Sequence, residues 1–85
     1  MPYQIVFTPA ASRAFSALPK EVLRRVDARI LSLAANPRPY GCKKLSEENF
    51  YRIRVGDYRI VYEIQDCALL VLVVRIGHRK EIYRS

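Results

Sequence analysis

At 85 residues and 9.9 kDa the chain has room for one domain, residues 1–85, and one small core. A composition of 51% hydrophobic and 27% charged residues excludes a disordered tail, and the longest apolar run, residues 68–74, is far short of the roughly 18 residues of a membrane span. A formal charge of +7, with eleven arginines among the 15 basic residues, excludes an acidic surface and favours a polyanion as partner.

Residues 3–7 read as a short strand. Thr8-Pro9 then signals a helix start, with Thr8 as N-cap and Pro9 at the first helical position. Ala11, Ala14, Phe15 and Leu18 follow at helical spacing, and Pro19 closes this helix and opens the next. In the second helix Leu23, Val26, Ile30 and Leu33 make one apolar face, with Arg24, Arg25 and Arg29 largely away from it. Asn36-Pro37-Arg38-Pro39 stops it. Residues 41–48 form a polar loop. The period then changes to two: a strand over 50–55, a tight turn at Gly56-Asp57, a strand over 58–64, a turn at 65–67 and a strand over 68–76. The last strand is apolar on both faces, which places it inside the sheet. Residues 77–85 make a short basic tail, with room for one helical turn. The order is β-α-α-β-β-β and the class is α+β: a helical hairpin packed on one face of a small, mainly antiparallel sheet.

Alternation assigns the two sheet faces. Tyr58, Ile60, Tyr62 and Ile64, with Tyr51, Ile53 and Val55, face the helices. Phe50, Arg52 and Arg54, with Arg59, Val61 and Glu63, face the other way, and the tight turn brings Arg54 and Arg59 close across the ladder. Three guanidiniums on one face repel one another unless an anion sits among them, which points to phosphate. The plainer alternative is a set of solvated arginines on an open face. The tail adds His78, Arg79, Lys80, Tyr83 and Arg84 just after Arg75. A tyrosine among cations stacks on a base while the cations hold phosphates, or else it anchors the tail to the core. His78 is the only histidine, and it is either a proton carrier or structural. Cys42 and Cys67 lack the spacing of a metal site, so no metal and no cofactor is expected, and free thiols are favoured over a disulfide. Met1-Pro2-Tyr3-Gln4 shows no basic-to-apolar leader pattern, so the expected location is the cytoplasm, with no membrane partner.

Two segments carry a resemblance. Residues 51–62, Y-R-I-R-V-G-D-Y-R-I-V-Y, and residues 74–83, V-R-I-G-H-R-K-E-I-Y, resemble the RelE/ParE toxin superfamily, and within it the RelE-like messenger RNA interferases. The resemblance runs end to end. It implies the toxin of a type II toxin–antitoxin pair, a metal-independent endoribonuclease that enters the ribosomal A site and inhibits translation. There a 2′-hydroxyl attacks the adjacent phosphate, leaving a 2′,3′-cyclic phosphate. The implied active-site positions are Arg52, Arg54, Arg59, Arg79 and Tyr83. Arg59 and Arg79 would stabilise the transition state, Arg52 and Arg54 would hold the RNA backbone, and Tyr83 would stack on a base. Arg75, Lys80 and Arg84 are further RNA-binding candidates. Many members carry lysine where Arg52 and Arg54 stand, and arginine is a poor proton acceptor; the base is then His78, water, or replaced by electrostatics alone. The implied partners are a cognate antitoxin, the ribosome and messenger RNA, with the free chain a monomer and the complex a hetero-oligomer. The same fold also serves DNA gyrase inhibitors without nuclease activity, the main alternative. A basic RNA-binding module without toxicity is the third.

Overall fold

The computed structural model describes residues 2–45 and 48–78. Its elements are β1 (Gln4–Phe7), α1 (Pro9–Ser16), α2 (Lys20–Ser32), β2 (Lys43–Lys44), β3 (Phe50–Val55), β4 (Tyr58–Gln65) and β5 (Leu70–His78). They form an α+β fold with one five-stranded sheet in the order β1-β5-β4-β3-β2. β1 runs parallel to β5; the other neighbours are antiparallel. α1 lies over β5 and β1, and α2 over β3, so both helices cover the same face.

The helix start falls where Thr8-Pro9 puts it. The Thr8 hydroxyl oxygen accepts from the Ala11 N–H at 3.1 Å, satisfying a donor that the first helical turn leaves open. Pro19 serves as the N-cap of α2, its carbonyl accepting from Leu23 N–H at 2.8 Å. Val26, Ile30 and Leu33 recur at helical spacing and are fully buried, while Leu23 is half-buried. They meet Ile53, Ile60, Ile64, Val71 and Val73, also essentially without solvent contact. Each such side chain contributes about 1.5–3 kcal/mol through burial. Tyr62 is buried among them, and its hydroxyl donates to the Pro37 carbonyl at 2.7 Å. Burial pushes the pKa of that phenol well above its ordinary value, with Cys42 adding to the effect. Both cysteines are free thiols.

The hairpin turn is the tight one the pattern calls for. Gly56 has φ +58°, the positive value that the first central residue of a two-residue II′ turn requires.

Three expectations are corrected. The loop over 41–48 contains a strand, β2, which pairs Lys43 with Arg52 and Lys44 with Tyr51. The last strand starts two residues later than residue 68, because Ala68 and Leu69 complete the turn; Leu69 has φ +51°, and its N–H bonds to Asp66 O at 3.2 Å. It also ends two residues later, so Gly77 and His78 belong to the ladder and not to a tail. The tail calls at Arg79, Lys80, Tyr83 and Arg84, and the helical turn allowed there, lie outside the described residues.

Candidate nucleic-acid interface

The β3–β4 register sets the site. Arg54 stands directly opposite Arg59, and Arg52 opposite Val61. β5 continues the two rows: Gly77 opposes Arg59, and Arg75 opposes Val61. Directly opposed residues share a face, so Arg52, Arg54, Arg59 and Arg75 all project on the side away from the helices. The Arg54–Arg59 row ends at Gly77, which offers no side chain. A glycine in a strand interior suits the close approach of a ligand or a second backbone.

Arg75 reaches this face through an irregularity. Val61 pairs with Arg75 while Tyr62 pairs with Val73, so Val74 is an extra residue on β5. The bulge shifts the alternation of β5 by one. Val71 and Val73 face the core before it, and Ile76 faces the core after it. Strict alternation from Val73 would have turned Arg75 into the core. Thr8 holds the bulge: its N–H donates to Val73 O at 3.0 Å, and its hydroxyl donates to Val74 O at 3.4 Å.

The four arginines are not equally solvated. Arg52 and Arg59 are 9% and 5% exposed, whereas Arg54 and Arg75 are exposed. A row of solvated arginines on an open face, the plain alternative, therefore does not describe Arg52 and Arg59. Arginine can bury its aliphatic stem while keeping its guanidinium at a surface.

His78 is brought elsewhere. It pairs with Tyr58 in the ladder, on the helix side of the sheet, and their rings meet edge-on with centroids 5.6 Å apart. A cleft of about 360 Å³ opens there between α2 and the β3–β4 turn, lined by Val22, Arg25, Tyr58 and His78 among others. It lies on the opposite side of the sheet from the arginines, so chemistry at the arginines cannot use it directly. Sequence reasoning missed Lys43, which the β2–β3 register places on the arginine face beside Arg52. Two consecutive lysines carry no alternation, so no sequence signal marked this strand.

Comparison with known proteins agrees with this fold. Residues 5–83 match the family model described as ParE toxin of type II toxin–antitoxin system, parDE. The chain is 36% identical over 87 residues to Toxin RelG of Mycobacterium tuberculosis, spanning 99% of both chains. It is 32% identical over 85 residues to Toxin RelE of the same organism, spanning 98% of this chain and 88% of the other. Among solved structures it resembles a chain of the Mycobacterium tuberculosis toxin–antitoxin complex RelBE2, with TM-score 0.80 and 32% identity over 93% of this chain and 100% of that one. Free Escherichia coli toxin RelE shares the fold, with TM-score 0.83 and 24% identity over 98% of this chain and 92% of that one. A sheet with a cationic outer face, a helical hairpin over the inner one and this end-to-end similarity lead to one assignment: the chain belongs to the RelE/ParE superfamily of type II toxin–antitoxin toxins, on its RelE-like side.

Proposed function

We propose that this toxin is a ribosome-dependent endoribonuclease that cleaves messenger RNA in the A site and so inhibits translation. The observation that carries the proposal is the Arg54–Arg59 pair, directly opposed in the ladder, with Arg52 and Arg75 on the same face. In the reaction the 2′-oxygen bonds to the adjacent phosphorus and the bond from phosphorus to the 5′-oxygen breaks. The 2′-hydroxyl loses its proton and the leaving oxygen gains one. Negative charge accumulates on the phosphoryl oxygens, where fixed guanidiniums stabilise it more than in the ground state. Arg59 and Arg79 take that role. Arg52 and Arg54 hold the RNA backbone and favour ionisation of the 2′-hydroxyl. Tyr83 stacks on a base, and Arg75, Lys80 and Arg84 extend the RNA contact. The cations do electrostatically what a metal would do in other nucleases.

A cognate antitoxin keeps the toxin inactive in this proposal. RelBE2 was crystallised as a toxin–antitoxin complex, and a net charge of +7 calls for a partner that is acidic where it covers the arginine face. The free chain is then a cytoplasmic monomer held apart from its copies by charge, and the complex a hetero-oligomer.

The test is induction of the chain in cells with primer-extension mapping of translated and untranslated messages. Cleavage within translated codons is expected, and Arg59→Ala should lower it by about 10²-fold or more. Intact messages during growth arrest would remove the proposal. One observation favours a second reading: the matching family model is named for ParE toxins. A gyrase inhibitor would block supercoiling by purified gyrase while leaving messages whole.

A further inference from the structure

The arginine face does not stop at β3. Lys43 on the edge strand β2 pairs with Arg52, Arg52 with Val61, and Val61 with Arg75. A single cross-strand row thus runs Lys43–Arg52–Val61–Arg75 over four strands. Three strand spacings separate its ends, about 14 Å. The row lies beside the Arg54–Arg59 row, one ladder step further from the β3–β4 turn. A chain lying across the strands would meet exposed cations at β5 and β2, with Arg52, 9% exposed, between them.

The loop leading into β2 ends the row with an aromatic. Cys42 N–H bonds to Pro39 O at 3.0 Å, and Gly41 has φ +91°. That bond with a positive φ at the third residue alone is a type II turn over Pro39, Tyr40, Gly41 and Cys42. Tyr40 occupies its corner, where a side chain projects furthest from the chain. It is fully exposed, at 105% of the reference area. Lone tyrosines at full exposure bury none of their ring. Three residues before Lys43 in the chain, such a ring offers a platform for a nucleobase.

We infer that the Lys43–Arg52–Val61–Arg75 row, ending at Tyr40, is a track for single-stranded RNA flanking the cleavage point: Lys43 holds a phosphate and Tyr40 stacks on a base beyond it. The inference rests on the RNA-cleaving reading of the same face and adds to it the direction of the strand, across the ladder toward the β2 edge.

Lys44 supplies an internal control. It neighbours Lys43, is equally exposed, carries the same charge and lies on the same edge strand. Its register partner is Tyr51, so it projects on the helix side. A general attraction between a +7 protein and RNA cannot tell the two lysines apart; a track on one face must.

The experiment measures binding of a fluorescein-labelled 12-nucleotide RNA, made cleavage-resistant with 2′-O-methyl sugars, by anisotropy over a range of salt. Lys43→Ala should reduce the slope of log K against log salt by about 0.7, the value for one phosphate contact on a single strand, and Lys44→Ala should leave it unchanged. Tyr40→Ala should weaken binding about fivefold or more with no change in salt slope, and Tyr40→Phe should restore it. All three positions are exposed edge or turn sites, and thermal melts confirm folding of each variant. Equal effects of the two lysine substitutions, no effect of either, or no binding by the parent chain would overturn the track. Message cleavage on ribosomes by the same preparations reports separately on the RNA-cleaving reading, which survives if cleavage persists while the lysines prove equivalent. If instead an acidic peptide binds with the lysine asymmetry and the RNA does not, the row belongs to a protein partner and the RNA track is wrong.

Discussion

Arg54 stands directly opposite Arg59, and like charges so placed in a ladder repel. A phosphate between them converts repulsion into charge-assisted contacts, and a pentavalent phosphorane, with more charge, converts more. What guanidiniums cannot do is take the proton of a 2′-hydroxyl. His78 is the residue whose chemistry suits that step, but its place in the ladder opposite Tyr58 turns it to the helix side. The arginine-face neighbour in β5 is Gly77, one residue earlier. His78→Gln is therefore expected to slow single-turnover cleavage on programmed ribosomes by less than about threefold, whereas loss of a general base costs on the order of 10²-fold or more. A fall of that larger size, with loss of the acid limb of the pH–rate profile, would give the base role to His78 and require the end of β5 to turn over.

At the scale of elements, one residue serves two structures. Thr8 caps α1 through Ala11 N–H, and its N–H and hydroxyl engage the carbonyls of Val73 and Val74 at the bulge. The bulge in turn decides that Arg75 faces outward with the other arginines and Ile76 faces the core. Thr8→Ala should lower stability by about 1–2 kcal/mol, seen as a lower urea midpoint at an unchanged slope. Thr8→Ser, which keeps the oxygen, should recover most of it; a Ser variant as weak as Ala would show that the methyl packing matters instead. The cap was legible in sequence because Thr-Pro before an apolar period has few other meanings. So was the β3–β4 hairpin, where alternation over Tyr51, Ile53 and Val55 and over Tyr58 to Ile64 brackets a Gly-Asp turn. The bulge was not legible: residues 70–74 are apolar without a break, so the pattern there holds no phase for an extra residue to shift. β2 was missed because pairing with β3, and no preference of Lys43 or Lys44, makes it a strand. The start of β5 was misplaced because Ala68 and Leu69 are apolar, while Leu69 takes the left-handed φ of +51° that closes the turn.

The whole molecule is tied at its other end. Asp66 in the β4–β5 turn receives both Arg38 amino groups, at 3.2 and 2.9 Å, and the Tyr3 hydroxyl at 2.7 Å. Arg38 Nε also donates to the Tyr51 hydroxyl at 3.2 Å, with its guanidinium carbon 5.3 Å from the ring centre. One carboxylate thus joins the start of the chain, the connection after α2, the β3 strand and the β4–β5 turn, at the end of the sheet remote from Arg54 and Arg59. The Arg38 and Tyr3 hydrogen bonds hold the Asp66 carboxyl below its ordinary pKa, and the bond to Asp66 raises that of Tyr3. A carboxyl whose pKa is lower in the folded state binds fewer protons there than in the unfolded chain. Its contribution is complete above the unfolded value, about 3.9, and disappears as pH falls through the folded one. The pair is half-exposed, so the contribution is small and salt-sensitive. Asp66→Asn should therefore show a lower urea midpoint than the parent chain at pH 7, and the gap should close as pH falls below about 4. Message cleavage at neutral pH should be unaffected, because the clasp touches none of the arginines on the outer face. A gap that stays constant to pH 2 would mean that the carboxylate charge contributes nothing and that the clasp is held by the Tyr3 and Arg38 geometry alone.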